Sequence, residues 1–203
     1  TNANEDRELN SILKLSQDNG VMDGKYINGE KLNSLEPNVK AYSGLLFPST
    51  GIIDSYGLMK QFETDAINNG ASVVYGAEVL DILRLSEGYE VTINDYNGLN
   101  KFTTSVLINS TGLNADKISV IAGINDPNYT IHFWKGEYFA VGNGKGKCLS
   151  RLIYPIPNKN TTGLGIHATI GFNGELKLGP NAIYLPNKVQ DYSVDKQQGK
   201  AFY

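Results

Sequence analysis

The sequence predicts a mixed α/β (α+β) chain, and three patterns support this prediction. An amphipathic helix that ends at Asn69-Gly70 is followed by the β-branched run 71–75, which is the order of an α/β unit. Residues 78–104 alternate apolar and polar side chains around two turns, as in an antiparallel meander. After residue 130 short strand-like runs alternate with glycine-containing turns, so we expect the last third to be rich in β-strands.

The composition is that of a globular protein. The chain has 203 residues, of which 40% are hydrophobic and 19% are charged. A formal net charge of -3 and the lack of a basic run argue against nucleic acid as a partner. The single cysteine, Cys148, cannot form an intrachain disulfide, which favours a reducing, cytoplasmic location. No apolar stretch approaches the ~20 residues of a membrane helix, so we expect no membrane span.

The first 45 residues predict a helical and loop segment that leads into a strand. Apolar residues at helical spacing predict a short helix over 5–17, and a further helical turn over 32–37 stops at Pro37. Residues 42–47 are the predicted entry strand. Because the N-terminus lacks Met and begins within a helix, we expect the chain to be a fragment of a longer protein.

The helix that follows the loop 48–51 has recognisable ends. The side chain of Asp54 or Ser55 is the predicted N-cap, and Asn69-Gly70 provides the left-handed stop. Its apolar residues are spaced four apart and form one stripe, which predicts a core-facing side: Leu58, Phe62 and Ala66. The run 71–75 after the stop is expected to be a buried strand.

A second predicted buried strand, 106–108, ends in a turn of small residues. Asn109, Ser110, Thr111 and Gly112 form this turn, and a helix is expected over 115–122. A buried strand that ends in such a turn before a helix is typical of the ligand crevice in open parallel sheets. The sequence therefore predicts a ligand site near residues 110–112.

The last third predicts short strands joined by polar loops. The expected strands are 130–133, 138–141, 152–156, 163–169 and 176–178, with loops over 142–147 and 158–162. The tail from 187 to 199 is polar, and its conformation, mobile or helical, stays open. The glycine-rich loop 142–147 lacks both phosphate-loop spacing and a following helix, so we interpret it as a hairpin loop.

His167 is the strongest candidate for catalysis from the residues alone. In a strand, Leu164, Ile166 and Ala168 share one face, which places His167 with Gly165 on the opposite face. An imidazole so placed can take a proton near neutral pH, although a histidine satisfied by the backbone stays an alternative. The two histidines and one cysteine show no metal-ligand spacing, so no metal site is predicted.

Arg151 and Lys135 are candidates to bind a carboxylate. A guanidinium can bind both carboxylate oxygens at once, and an ammonium can pair with them as a point charge. The alternative for each residue is a solvated strand end.

Several segments together resemble the D-amino-acid oxidase superfamily of flavoproteins, and most closely its L-2-hydroxyglutarate dehydrogenase/oxidase branch. The resemblance lies in segments that occur in the family's order: LEP at 35–37, PSTGIID at 48–54, VLINSTGL at 106–113, KGEYF at 135–139, RLIYPIP at 151–157, LGIHAT at 164–169 and GPNAI at 179–183. Each segment is a weak signal alone, but their order is specific.

The resemblance implies an FAD cofactor and assigns roles to residues. Backbone near Val79 would contact adenine, and Ser110, Thr111 and Gly112 would lie beside the pyrophosphate or ribityl chain. His167 would lie near the flavin and the 2-hydroxy acid as the base. The substrate would be held by three further residues: Arg151, Lys135 and Tyr154.

The implied reaction is the oxidation of a small 2-hydroxy acid resembling L-2-hydroxyglutarate. A base removes the hydroxyl proton while the Cα hydrogen leaves as hydride to the flavin. Three alternatives stay open: a glycine- or sarcosine-type amine oxidase, a relative of glycerol-3-phosphate dehydrogenase, and a non-catalytic remnant.

The resemblance also implies a domain division and a missing part. Residues 1–45 are expected to lead into a partial FAD-binding domain over 46–123, a β-rich substrate domain over 124–186 and a tail over 187–203. The chain lacks the G-x-G-x-x-G motif that binds the pyrophosphate in this family. We therefore expect weak FAD binding or none by this chain alone, and a complementing FAD-binding polypeptide as a partner.

Overall fold

The computed structural model describes residues 3–142, 145–157 and 163–202. The chain divides into two compact units. The first unit comprises Thr1–Ile53, Trp134–Tyr184 and Gln190–Tyr203, and the second comprises Asp54–Phe133 and Leu185–Val189. The four-part division predicted from the sequence stays a prediction. Part of the loop 142–147 and all of the loop 158–162 lie outside the described residues.

The first unit combines two helices with short antiparallel sheets. Its N-terminal part contains α1 (Ala3–Asp18), β1 (Lys25–Asn28), α2 (Gly29–Leu35) and β2 (Ser43–Leu46). β1 and β2 pair antiparallel, and the sequence did not predict β1. Its later strands are β7 (Phe139–Ala140), β8 (His167–Ile170) and β9 (Leu176–Gly179), which form a sheet in the order β7-β9-β8.

The second unit contains the helix and the meander that the sequence predicts. Its elements are α3 (Ser55–Asn68), β3 (Glu78–Arg84), β4 (Tyr89–Asp95), β5 (Gly98–Thr104) and α4 (Ala115–Ile121). Two further strands, β6 (Phe133–Lys135) and β10 (Ile183–Leu185), pair with each other, and the division between the units falls within both of them.

Aromatic and aliphatic side chains form the core of the first unit. Leu9, Ala168, Leu176 and Phe202 are buried. The ring of Phe202 packs against that of Phe139 at a tilt of 52°, with centroids 4.6 Å apart. Phe202 ends the 3-10 helix Lys196–Phe202, so the polar tail is helical in its last residues.

The ends of α3 are confirmed. The side chain of Asp54 accepts a hydrogen bond from the backbone N–H of Gly57 at 3.0 Å, which satisfies an orphan donor of the first turn. At the other end Gly70 has a φ of 87°, a left-handed conformation that glycine adopts without strain.

The meander is also confirmed. β3, β4 and β5 pair antiparallel in chain order, and Asp95 is the partner of Gly98 across the tight turn. Gly98 has a φ of 97°, and the N–H of Asn97 donates to the Asp95 side chain at 2.8 Å. Ile82 and Val91 are register partners and are both buried, so they anchor one face of this sheet.

Two predicted buried strands are wrong. The structure places no strand at 71–75 or at 106–108, and Val74 and Ile108 are 61% and 80% exposed. A strand requires a neighbour that takes up its backbone hydrogen bonds. Neither segment has such a neighbour among the described residues. The apolar stripe of α3 is also left uncovered by the other described residues, since Phe62 is exposed.

Candidate functional site

Tyr154 and His167 form an aromatic pair in the first unit. Ile153 and Ala168 exchange both backbone hydrogen bonds of an antiparallel bridge, at 3.1 and 2.8 Å. In an antiparallel pair the next residues, Tyr154 and His167, lie opposite each other and point to the same face. Their rings stack with centroids 4.3 Å apart and an interplanar angle of 22°. The structure therefore brings together two residues to which the resemblance gives roles near the substrate.

The imidazole of His167 has a defined hydrogen bond. Its Nδ1 lies 3.0 Å from the carbonyl oxygen of Gly165. Gly165 has a φ of 75°, and this left-handed conformation favours glycine at that position. His167 is half-buried and its neighbour Ala168 is buried, whereas Leu164, which was expected on the same core face as Ala168, is 56% exposed.

A glycine and a second tyrosine continue the row that Tyr154 and His167 begin. The register of β8 and β9 makes Gly179 the partner of His167. A Cβ atom at Gly179 would lie 2.6 Å from the carbonyl oxygen of Glu137 and 2.8 Å from the ring of Tyr138. Only glycine fits there, and the Tyr138 ring lies over it. The sequence reasoning did not assign a role to Tyr138 or Gly179, although both lie in segments that carried the resemblance.

Arg151 is held by a buried carboxylate. Glu36 is only 4% exposed and lies 3.0 Å from Nη1 of Arg151. The backbone N–H of Ser150 donates to Glu36 at 3.1 Å, and the Ser150 hydroxyl also donates to it. Burial raises the pKa of Glu36, but the hydrogen bonds from Ser150 and Arg151 outweigh burial and leave this pKa below its ordinary value. Nη1 of Arg151 also donates to the carbonyl of Leu35 at 3.1 Å.

Lys135 is held by two carboxylates. Its Nζ donates to Asp191 at 2.9 Å and to the carbonyl of Ser193 at 3.1 Å, and it lies 3.5 Å from Glu137. The hydrogen bond with Asp191 raises the pKa of Lys135 above its ordinary value. The carboxylate of Glu137, 2% exposed, accepts from the N–H of Asp195 at 2.9 Å and from the Asn181 side chain at 2.8 Å. These bonds and Lys135 lower the pKa of Glu137.

The predicted cofactor residues all lie in the second unit. Val79 pairs with Ile93 next to an irregularity in the ladder. β3 is an edge strand, so one side of its backbone has no strand partner among the described residues. The predicted substrate residues, in contrast, all lie in the first unit.

Asn109 organises the turn before α4. Its side chain donates to the carbonyl of Ala115 at 2.8 Å and accepts from the Thr111 hydroxyl at 2.8 Å. Gly112 has a φ of 57° and begins the 3-10 helix Gly112–Asn114 that leads into α4. Ser110, Thr111 and Gly112 are exposed, and no atom lies within 4 Å of a Cβ built on Gly112.

Membrane helices and metal clusters are both absent from the described part of the chain. No described helix is both long enough and apolar enough to cross the bilayer. Within the same residues no cluster of histidine, cysteine or carboxylate side chains is arranged to hold a metal ion.

The chain belongs to a family of FAD-dependent oxidoreductases. The family profile described as DAO, FAD dependent oxidoreductase, matches residues 1–201. FAD is the cofactor of this family. The turn 110–112, which was predicted to contact it, is exposed, has small side chains and leaves open space at Gly112, so nothing described there would obstruct such a contact.

Two relatives in this family show which of its members the chain resembles in sequence. The chain is 30% identical over 187 residues to the mitochondrial L-2-hydroxyglutarate dehydrogenase of Caenorhabditis elegans, covering 91% of this chain and 42% of the relative. It is 30% identical over 179 residues to the L-2-hydroxyglutarate dehydrogenase of Escherichia coli, covering 86% of this chain and 40% of the relative. The chain thus spans about two fifths of the length of these relatives.

A solved structure supports the fold. The dithionite-reduced L-α-glycerophosphate oxidase of Mycoplasma pneumoniae with FAD bound matches with a TM-score of 0.76 at 22% identity. The match covers 91% of this chain and 48% of that chain. The expectation of an α/β flavoprotein fold is therefore confirmed.

Proposed function

We propose that this chain is part of an FAD-dependent enzyme that oxidises a small 2-hydroxy acid resembling L-2-hydroxyglutarate. The observation that carries the proposal is the half-buried His167, which is stacked on Tyr154 in a unit that also contains Arg151 and Lys135. An imidazole supplies a base and the two cations supply partners for a carboxylate, which are the groups that a 2-hydroxy acid requires. The names of the relatives support this substrate class.

His167 is the proposed base. It takes the proton of the substrate hydroxyl as the Cα hydrogen departs, and general base catalysis of this kind contributes on the order of 10²–10⁴-fold. FAD, when bound, supplies the acceptor for the two electrons and the hydrogen. The turn residues Ser110, Thr111 and Gly112 and the backbone near Val79 are the groups proposed to hold FAD.

Arg151 is the stronger of the two proposed carboxylate ligands. A guanidinium has five N–H donors in a planar fork, so the bonds that Nη1 makes to Glu36 and Leu35 leave it further capacity. Its side chain is also partly exposed. Lys135 is less accessible, and its ammonium has three donors and already faces two carboxylates and a carbonyl.

Further polypeptide is proposed to complete the enzyme. The chain spans about two fifths of its relatives, and the G-x-G-x-x-G motif is not among its 203 residues. The exposed apolar runs 71–75 and 106–108 would gain strand partners from such a dinucleotide-binding segment, whether it belongs to the same chain or to another. A reducing compartment such as the cytoplasm is the proposed location, although the nematode relative is mitochondrial by name.

A second candidate substrate is glycerol 3-phosphate. The structural match to a glycerophosphate oxidase favours it, since the hydroxyl chemistry is the same and the cations would bind phosphate instead of carboxylate. Oxidation of an amine such as glycine or sarcosine is a third candidate activity, and a non-catalytic remnant is the fourth.

One assay separates these functions. The chain, combined with the dinucleotide-binding polypeptide that completes it, would be tested with L-2-hydroxyglutarate, glycerol 3-phosphate and glycine using a dye acceptor. We expect turnover with L-2-hydroxyglutarate and a loss on the order of 10²–10⁴-fold in kcat for His167→Ala. His132→Ala is the matched control. Preferred turnover of glycerol 3-phosphate or glycine would overturn the proposal of a 2-hydroxy acid substrate. Bound flavin without turnover of any of the three substrates would support the hypothesis of a non-catalytic remnant.

A further inference from the structure

We infer that Tyr154 is a positioning residue that holds the imidazole of His167 with its proton on Nδ1, so that Nε2 carries the lone pair. The catalytic consequence rests on the proposed function, in which His167 is the base. The tautomer and the role of Tyr154 in fixing it rest on geometry alone.

The tautomer follows from the partner of Nδ1. A carbonyl oxygen can only accept a hydrogen bond, and the Gly165 carbonyl lies 3.0 Å from Nδ1. Nδ1 must therefore be the protonated nitrogen for this contact to be a hydrogen bond. In a neutral imidazole the other nitrogen is then unprotonated, so Nε2 is the atom that can receive a proton.

The stacked tyrosine limits rotation of the imidazole. The bridge between Ile153 and Ala168 fixes Tyr154 directly opposite His167, and the ring centroids lie 4.3 Å apart at 22°. A ring covered on one face cannot rotate about its Cβ–Cγ bond without displacing its neighbour. The register partner on the other side, Gly179, has no side chain to provide similar support. Tyr154 is therefore the ring whose stacking on the imidazole the structure shows.

Loss of the tyrosine ring should change the tautomer. Without the stack the imidazole can turn, Nδ1 leaves the Gly165 carbonyl, and the proton is free to move to Nε2. The lone pair would then lie on Nδ1 and point away from the position that the native ring presents. Phenylalanine at 154 keeps the stacked ring and should preserve the native tautomer.

The test is ¹⁵N NMR of the imidazole nitrogens in the 203-residue chain. The chain has two histidines, so His132→Asn assigns the His167 signals. At a pH where His167 is neutral, we expect the Nδ1–H form to dominate in the native chain and in Tyr154→Phe. In Tyr154→Leu we expect the Nε2–H form to become the majority.

Tyr184→Leu is the matched control. Tyr184 lies 5.2 Å from Trp134 between ring centroids in a tilted aromatic pair, and it is 44% exposed against 46% for Tyr154. Its replacement should leave the tautomer of His167 unchanged. A dominant Nε2–H form in the native chain overturns the inference, and an unchanged tautomer in a folded Tyr154→Leu chain overturns the role of Tyr154.

The completed enzyme provides a second readout. Tyr154→Leu should lower kcat by up to about 10²-fold through misplacement of the base, whereas Tyr154→Phe should restore it. A change in KM with an unchanged kcat would instead assign Tyr154 to substrate binding and overturn the positioning role. Failure of the 2-hydroxy acid substrate in the turnover assay leaves the NMR result unaffected, so the two failures are distinguishable.

Discussion

The buried carboxylate of Glu36 gives the sharpest stability prediction. Glu36→Gln keeps the shape of the side chain but removes its charge and turns an acceptor into an NH₂ donor. The groups that contact the carboxylate all donate to it: the N–H and hydroxyl of Ser150 and the guanidinium of Arg151, of which only the hydroxyl can also accept. At least one donor must then face another donor in a position that is 4% exposed.

The expected loss follows from these bonds. A hydrogen bond to a charged group contributes about 1.5–3 kcal/mol, and an unsatisfied buried donor costs a similar amount. We therefore expect Glu36→Gln to lower the free energy of unfolding by about 2–4 kcal/mol. The same substitution at Glu175, which pairs with Lys177 at 2.9 Å on the surface, should cost less than about 1 kcal/mol.

Urea unfolding of the two variants, followed by circular dichroism at neutral pH, measures both losses. The shift of the midpoint at constant slope gives the change in stability. Equal losses for Glu36→Gln and Glu175→Gln would refute the argument that the site of Glu36 is built for a charged acceptor.

The pH dependence provides a second check on Glu36. Because its pKa is lowered in the folded chain, its contribution to stability is complete above the unfolded carboxyl pKa of about 4.3. That contribution is lost as the pH falls through the folded pKa. The difference in stability between the native chain and Glu36→Gln should therefore shrink below about pH 4. A difference that stays constant to lower pH would contradict this assignment.

Three further predictions concern the first unit and the cofactor. Lys135→Met should lower the unfolding midpoint more than Lys177→Met, because Lys135 faces the buried Glu137. The difference between the two variants should vanish in acid as Glu137 is protonated, and equal midpoints at neutral pH would contradict the prediction. Gly179→Ala should lower the free energy of unfolding by about 1–3 kcal/mol, since the φ of Gly179 is 143° and the new Cβ would meet a carbonyl oxygen. Gly163→Ala should lower it less in the same assay, because Gly163 has a φ of 87° but open space around its Cβ position. After incubation with FAD and removal of the free FAD by dialysis, the purified chain alone should show weak flavin absorbance or none, and tight stoichiometric binding would refute this.

The features that the sequence predicts well depend on residues close together in the chain. The N-cap of α3 joins Asp54 to Gly57, and the hairpin turn is contained within residues 95–98. The runs 71–75 and 106–108 have the composition of buried strands, but burial depends on partners that composition does not specify. Their exposure therefore could not be predicted from the runs themselves.

The candidate site, too, could be predicted from the sequence only where it depends on neighbouring residues. The residue pattern around His167 predicted a strand, and the structure has β8 at His167–Ile170, but the burial of β8 does not alternate as that pattern suggested. The pairing of Arg151 with Glu36 joins residues 115 apart in sequence, and neither residue type at its position indicates its partner. The aromatic row across Gly179 likewise depends on strand register, which is fixed by tertiary packing.

The two units are interleaved along the polypeptide, and this has a consequence for how they can be exchanged. The residues proposed to hold FAD lie in a continuous stretch, Asp54–Phe133, that interrupts the unit carrying His167. Truncation at either end therefore cannot isolate one unit intact, whereas replacement of the internal stretch between its two junctions would transplant the proposed nucleotide-contacting groups as a cassette. Because the second unit also includes Leu185–Val189, chimaeras between related proteins should exchange both segments together, with the junction after Phe133 moved out of β6.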